Sequence, residues 1–353
     1  MHLIARHSVW NARQWAQMSM KVYLATVEDS ELLPLLLERA VQSRAGHVLV
    51  ADAADAELIL LVGSFGGNPD YLLKHPAYVA YPDKCAVYTE DDNYLPLAPG
   101  IYCSAQTDGH AKAGRTFSYA YISRNGKYSN AFLADEAPAE KKYLFSFQGG
   151  STSLLRKRMF NLAFNREDIV IENTSSYYHW DLTQPDREQR QQRYADTLSG
   201  SHFVLCPRGA GTGSIRLFEV MNAGVAPVLI SDDYLLPAHI DWDSFLLRIP
   251  ERDIARLPEL IAPHLATSAA RGLLARAAYV ANFMPAMEFD RIVEDCFNAL
   301  HHGPPSEAVF RRSQHQMIAR RERTQRLRAI AKSVVLRIMK VLRIKNPYQM
   351  NDR

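Results

Sequence analysis

Apolar residues in this chain gather in short runs divided by polar turns, and the clearest case is the stretch from Ser201 to Ser231. His202 to Cys206 is the kind of run a buried parallel strand makes, and Pro207, with no N–H for the ladder, ends it. Leu217, Phe218, Val220 and Met221 then recur at helical spacing between Ser214, a suitable N-cap, and Gly224, a suitable residue just past a helix end. Ala226 to Ile230 is the next apolar run, so the stretch reads strand, glycine loop, helix, strand. Upstream, Val22 to Ala25, His47 to Ala51, Leu58 to Val62 and Ala86 to Thr89 read as buried strands, and Leu32 to Ala40 as a helix. Downstream, Tyr143 to Phe147, Asp168 to Glu172 and Phe245 to Ile249 read as strands. Asp186 to Leu198, Arg252 to Leu265, Ser268 to Phe283 and Asp290 to Leu300 read as helices. Strands alternating with helices predict an α/β fold of parallel sheets wrapped by helices.

Gly303-Pro304-Pro305 breaks the periodicity. Beyond it Leu327, Ile330, Ala331, Val334, Ile338, Val341 and Leu342 share one helical face, and Arg328, Lys332, Lys340 and Arg343 the other. This predicts a basic amphipathic helix.

The loop of the central stretch carries the candidate chemistry. Gly209, Gly211 and Gly213 alternate, which permits a sharp turn and lets a ligand approach the backbone amides closely. With the helix N-terminus at Ser214 aimed the same way, the loop is a candidate anion site of a nucleotide-binding unit. Arg208 and Arg216 would fork onto a diphosphate, and Glu219 would accept hydrogen bonds from the paired hydroxyls of a ribose. On spacing alone a plainer reading stays open, with Arg216 and Glu219 as a solvated i,i+3 pair worth about 0.3 kcal/mol.

From Phe203 to about Leu260 the chain resembles the exostosin domain, the signature of glycosyltransferase family 47, in the manner of a bacterial-type member. The residues that carry the resemblance are Cys206-Pro207-Arg208-Gly209, Ser214, Arg216-Leu217-Phe218-Glu219, Gly224, Pro227 to Asp232, Leu236-Pro237, Asp241-Trp242, Phe245, Ile249 to Ile254 and Leu257-Pro258. The resemblance implies a glycosyltransferase-B fold, two Rossmann-like domains facing a cleft, and transfer of a sugar from a nucleoside diphosphate without a bound metal or other cofactor, usually with inversion. It further implies that Arg208, Ser214 and Arg216, on the loop of Gly209, Gly211 and Thr212, hold the diphosphate, and that Glu219 holds the ribose. UDP is the nucleotide expected from the family alone. Tyr143 to Phe147 also turns through Gln148 to Ser153 into a helix where the family has basic residues, so Arg156 and Arg158 would reach the donor phosphates, or else form a solvated basic face. Ala210 and Ile215 depart from the family pattern and bear on the identity of the donor.

Length fits two such domains, since 353 residues with 47% hydrophobic content can bury large cores. The expected division is residues 1–140 on the acceptor side, 141–305 for the nucleotide sugar, and 306–353 as the tail. Net charge is only +3, but Arg311 to Arg353 holds thirteen Lys and Arg against two acids, so this tail carries +11 and the rest −8. A basic amphipathic segment over 311–345 suits an anionic membrane surface; packing on the acidic body is the competing reading. Cys85, Cys103, Cys206 and Cys296 match no zinc or redox spacing and read as reduced, buried residues. With no apolar run of membrane-spanning length and no signal peptide, the expected location is a bacterial cytoplasm, peripheral on the inner membrane face. No nucleic-acid partner is expected.

An inverting transfer needs a general base for the acceptor hydroxyl. Asp91, Asp92 and His110 are the candidates, because Glu90-Asp91-Asp92 follows a strand end where the cleft of an open α/β sheet lies; turn-capping acids and a solvated loop histidine are the ordinary alternatives. The acceptor would be a glycan or lipid-linked glycan of surface polysaccharide synthesis. Two other functions compete. A nicotinamide-dependent oxidoreductase would use the glycines and Asp232, although G-x-G-x-G lacks the last glycine of the dinucleotide fingerprint; a non-catalytic scaffold of polysaccharide assembly would use only the tail.

Overall fold

Strands β1 (Lys21–Thr26), β2 (Val48–Leu49), β3 (Leu58–Val62), β4 (Cys85–Thr89), β5 (Gly100–Tyr102) and β6 (Thr116–Phe117) make one sheet in the order β2-β1-β3-β4-β5-β6, with every pairing parallel. Strands β7 (Tyr143–Gly149), β8 (Ile169–Asn173), β9 (Ser201–Pro207), β10 (Ala226–Ile230) and β11 (Leu247–Arg248) make a second, also wholly parallel, in the order β11-β10-β9-β7-β8. The computed structural model describes residues 19–28, 30–126, 128–133, 140–177 and 181–301, and 314, 316–319, 322–323, 326–327, 330–331 and 333–334. The chain separates into two bodies, Met1–Gly303, which holds both sheets, and Pro304–Arg353.

The helices are α1 (Leu32–Val41), α2 (Asp70–Leu73), α3 (Pro76–Ala80), α4 (Gly109–Lys112), α5 (Leu154–Phe160), α6 (Arg187–Ser199), α7 (Ile215–Asn222), α8 (Leu257–Ile261), α9 (Ser268–Asn282) and α10 (Pro285–His301). All residues of β3, β4 and β10 are buried, which is why these strands read as continuous apolar runs rather than alternating ones. Helix α7 ends where the sequence placed its end, with Gly224 at φ +67° just beyond it.

Several expectations change at the edges. His47 to Ala51 does not form a buried strand; only Val48 and Leu49 pair, and both are exposed at the sheet margin. The run from Arg252 to Leu265 is not one helix, because Pro258 and Pro263 interrupt it: 3-10 turns over Glu251–Arg256 and Ala262–Thr267 flank the short α8. The last helix, assigned from sequence to the second domain, crosses back and packs against β4 and β5 of the first sheet. There Glu288, fully buried, binds Arg39 Nε at 2.9 Å and Arg124 Nη2 at 3.1 Å and accepts from Asn125 at 2.7 Å, while Cys296 Sγ donates to the Val87 carbonyl at 3.6 Å. All four cysteines are buried and free.

In the second body the described residues between 314 and 334 are helical, and Leu327, Ile330 and Val334 are exposed. The rest of the expected amphipathic face, Ile338, Val341 and Leu342 with Arg328, Lys332, Lys340 and Arg343, lies outside the described residues. Among the described residues no helix is long and apolar enough to cross a membrane, and no group of three or more His, Cys, Asp or Glu is placed to hold a metal.

Candidate active site

In the second sheet the strand order reverses between β7 and β9, since β8 lies on one side of β7 and β9 to β11 on the other. Loops leaving adjacent strands at such a reversal diverge to opposite faces and open a crevice at the carboxyl ends. Here the two loops are Gly149 to Ser153 and Pro207 to Ser214.

Arg156 and Arg216 converge on this crevice. Both guanidinium groups lie over the Phe147 ring, with Arg156 at 5.4 Å and Arg216 at 4.7 Å from its centroid. Arg156, in the first turn of α5, donates to the carbonyls of Arg208 at 3.1 Å and Pro207 at 3.0 Å. Burial, then the neighbouring Arg216, push its pKa down to about 9, a strong depression for a guanidinium. Arg216, in the first turn of α7, donates from Nη2 to the Gln148 carbonyl, and its buried Nε has no partner among the described residues. Burial works against its charge, but Tyr194 and Glu219 outweigh that penalty and raise its pKa. Two crowded, desolvated cations with a spare donor are stabilised by an incoming anion.

The other donor-side residues divide. Arg208 Nε is already paired with Glu251 at 2.6 Å, and the Glu251 amide donates to Asp232 at 3.0 Å. Glu219 accepts the Tyr194 hydroxyl at 2.7 Å. Gly209 faces Thr152 and Arg156. Ser214 occupies the N-cap position of α7 in extended conformation, but its buried hydroxyl makes no cap bond. Arg158 is exposed on α5, two residues and so about 200° round the helix from Arg156, and the structure does not bring it to the crevice.

Thr212 and Gly211 do something other than the sequence reading assigned. The Thr212 hydroxyl donates to the carbonyls of Ser104 at 2.8 Å and Ala105 at 3.2 Å, riveting the glycine loop to the end of the first sheet. A Cβ on Gly211 would sit 2.2 Å from Ser104 Oγ, and one on Gly213 would sit 2.4 Å from the Cys103 carbonyl. Those two glycines therefore admit the close approach of the first sheet. Further pairing fixes the same approach: Thr107 N–H donates to the Asp233 carbonyl at 3.0 Å, and the Ser118 hydroxyl to Tyr234 at 3.0 Å.

This approach separates the candidate bases. Asp91 accepts from the amides of Phe65 at 3.0 Å and Gly66 at 2.7 Å and from the Ser64 hydroxyl, so its carboxylate is spent on shaping the loop after β3. His110 lies on α4, where the Asp108 carboxylate caps its amide at 2.9 Å; burial lowers its pKa, and the groups acting on it, Asp108 and Arg115, belong to its own loop. Asp92 is the one aimed across the cleft. Its carboxylate accepts the Gly211 N–H and feels the Arg156 charge, and although it keeps solvent access, loss of water around it raises its pKa.

Phe147, Gln148, Tyr194 and Glu251 complete the site, and none was singled out from sequence for a role. Glu251 stood within the resembling run; Tyr194 and Phe147 carry no local motif, since only the pairing of distant strands and helices brings them to Arg216.

Residues 101–263 match the Exostosin GT47 domain. The exostosin-1 homolog of Caenorhabditis elegans is 37% identical over 141 residues, which cover 36% of this chain and 37% of that protein. Exostosin-1 of Drosophila melanogaster is 32% identical over 137 residues, 35% of this chain and 18% of its own length. Exostosin-1c of Danio rerio is 29% identical over 206 residues, covering 53% and 28%. The matches thus take in between 18% and 37% of these animal relatives, and Asp91 and Asp92 precede the matched domain. The crevice of Arg156, Arg208, Arg216 and Glu219 lies wholly within the stretch, residues 101–263, that is similar to the Exostosin GT47 domain.

Proposed function

We propose that this protein is an inverting glycosyltransferase that takes a sugar from a nucleoside diphosphate, UDP in our reading, and passes it to a glycan or lipid-linked glycan of a surface polysaccharide. The observation that supports it is the pair of buried guanidinium groups, Arg156 and Arg216, over Phe147 at the strand-order reversal of the second sheet. Arg216 would take the diphosphate through its unpartnered Nε, Arg208 would exchange Glu251 for a phosphate oxygen, and Glu219 would turn to the ribose. Stabilisation of this charge belongs to the protein's own cations, and the proposed reaction takes no metal. A dehydrogenase reading is the weaker one here, because Gly211 and Gly213 are occupied by the first sheet and Asp232 by the Glu251 amide. Titration with UDP and with NAD against thermal unfolding tests the choice: UDP should stabilise and NAD should not.

Asp92 is the proposed general base. Its pKa, raised by loss of water around it, moves the acid limb of the kcat–pH profile up from where an ordinary aspartate would put it, with activity rising as Asp92 loses its proton. Asp92→Asn should lower kcat by about 10²–10⁴-fold with little change in KM for the donor, and should erase that limb. An Asn variant with wild-type turnover would assign the proton to another group.

The tail supports a seat on an anionic membrane face, which we place at the cytoplasmic side of a bacterial inner membrane. Its excess of basic residues over 311–345 and the exposed Leu327, Ile330 and Val334 suit binding in the plane of the interface. Deleting residues 311–353 should shift the protein from the pellet of anionic liposomes to the supernatant; undiminished pelleting counts against the tail.

A further inference from the structure

We propose that the outer face of α9 is a second membrane-contact surface, lying flat in the interfacial layer of an anionic bilayer. This helix buries Gly272, Ala275 and Tyr279 against the rest of the body. Its opposite side holds Ala270, Leu273, Leu274, Ala277, Val280 and Ala281, all exposed, with Leu273 72%, Leu274 47% and Val280 46% accessible. A helix whose outer face met only water would carry polar residues there. Instead no polar side chain interrupts the stripe, and Leu265, 41% accessible, extends it at the N-terminal end.

Charge decides what covers it. Residues 268–282 contain no acid, and their only charged side chains are Arg271 and Arg276. Both are half-buried at the margins of the stripe, Arg271 Nε donating to Thr267 at 3.2 Å and Arg276 Nη1 to the Asn222 carbonyl at 2.7 Å. An apolar face edged by cations complements anionic headgroups over an acyl layer. It complements a second copy poorly. A fifteen-residue helix offers a face of about 22 Å by 10 Å, far below the ~800 Å² per partner of a stable interface, and two-fold pairing would set arginine edges against arginine edges.

The inference does not depend on the glycosyltransferase reading, and the quenching of Leu273→Trp reports this face separately from the tail. In the full-length protein, Leu273→Glu/Val280→Glu should reduce co-sedimentation with phosphatidylserine-containing vesicles by about tenfold, while far-UV circular dichroism and the melting temperature stay at wild-type values. Neutral phosphatidylcholine vesicles should retain little of either protein. Leu273→Trp reads the contact directly, since anionic vesicles brominated in the upper acyl chain should quench its fluorescence beyond that of the wild type. Unchanged sedimentation of the double variant, absence of that added quenching, or a wild-type dimer that the double variant converts to monomer would each overturn the proposal, the last assigning the face to a second copy.

Discussion

Arg216→Ala should abolish both the stabilisation that UDP confers and the transfer of sugar, and should leave a folded protein. Arg216 is where several requirements meet: its guanidinium rests on Phe147, its Nη2 is held by the Gln148 carbonyl, and Tyr194 ties the neighbouring Glu219. A charge-assisted hydrogen bond of this kind contributes about 1.5–3 kcal/mol, so losing the Nε contact together with its cation weakens UDP about 10²-fold. At a UDP concentration 100 times the wild-type Kd, the ligand adds about 2.7 kcal/mol to stability, and in the variant that increment should fall close to zero. Differential scanning fluorimetry with and without UDP measures it. An alanine variant that keeps the full shift would show that the diphosphate binds elsewhere.

A comparably large effect is expected far from the crevice. Glu288→Ala should destabilise the fold by about 3–5 kcal/mol, because removing one member of a buried ion cluster leaves Arg124 uncompensated and Arg39 with only the exposed Glu38, 2.6 Å from its Nη1. Arg39 and Arg124 both face Glu288 inside the protein, with 5% and 3% of their side chains accessible. Arg124 would keep the carbonyls of Tyr121 at 2.6 Å and Phe283 at 2.5 Å, which hold it in place but do not neutralise it. Glu288→Gln, which keeps an acceptor for Asn125 and loses the charge, should fall between. Urea unfolding midpoints measure the series, and an alanine midpoint equal to wild type would show that the cluster contributes nothing.

What could be read from the sequence followed burial. Leu58 to Val62 and Ala226 to Ile230 coincide with their strands because residues buried on both faces leave an unbroken apolar run. The two-residue β2 and β11 were overestimated because apolar content does not report how far a strand finds a partner. Strands β5 and β6 passed unnoticed, being only 3 and 2 residues long. In the site, the presence of Arg216 and Arg208 beside a crevice was legible because charge beside a glycine loop is a local signal, and their hold on a diphosphate belongs to the proposed function. Around Thr212, Gly211 and Gly213 the sequence was silent on the contact with the first sheet: spacing shows that a backbone can be approached closely, and says nothing about what approaches it. Asp91 and Asp92 are adjacent acids with opposite tasks, one folded back onto the Phe65 and Gly66 amides and one turned toward Gly211, a distinction only three dimensions supply.

The return of α10 to the first sheet has a bearing on how the protein is made. Residues 285–301 cover β4 and β5, strands completed some two hundred residues earlier in synthesis. Until the ribosome has released that helix, the first sheet keeps an apolar surface open and Arg39 and Arg124 wait for their carboxylate. The nascent chain is therefore exposed to off-pathway association for most of its translation, and a stop codon placed just before Pro285 should yield inclusion bodies, not a shortened folded protein.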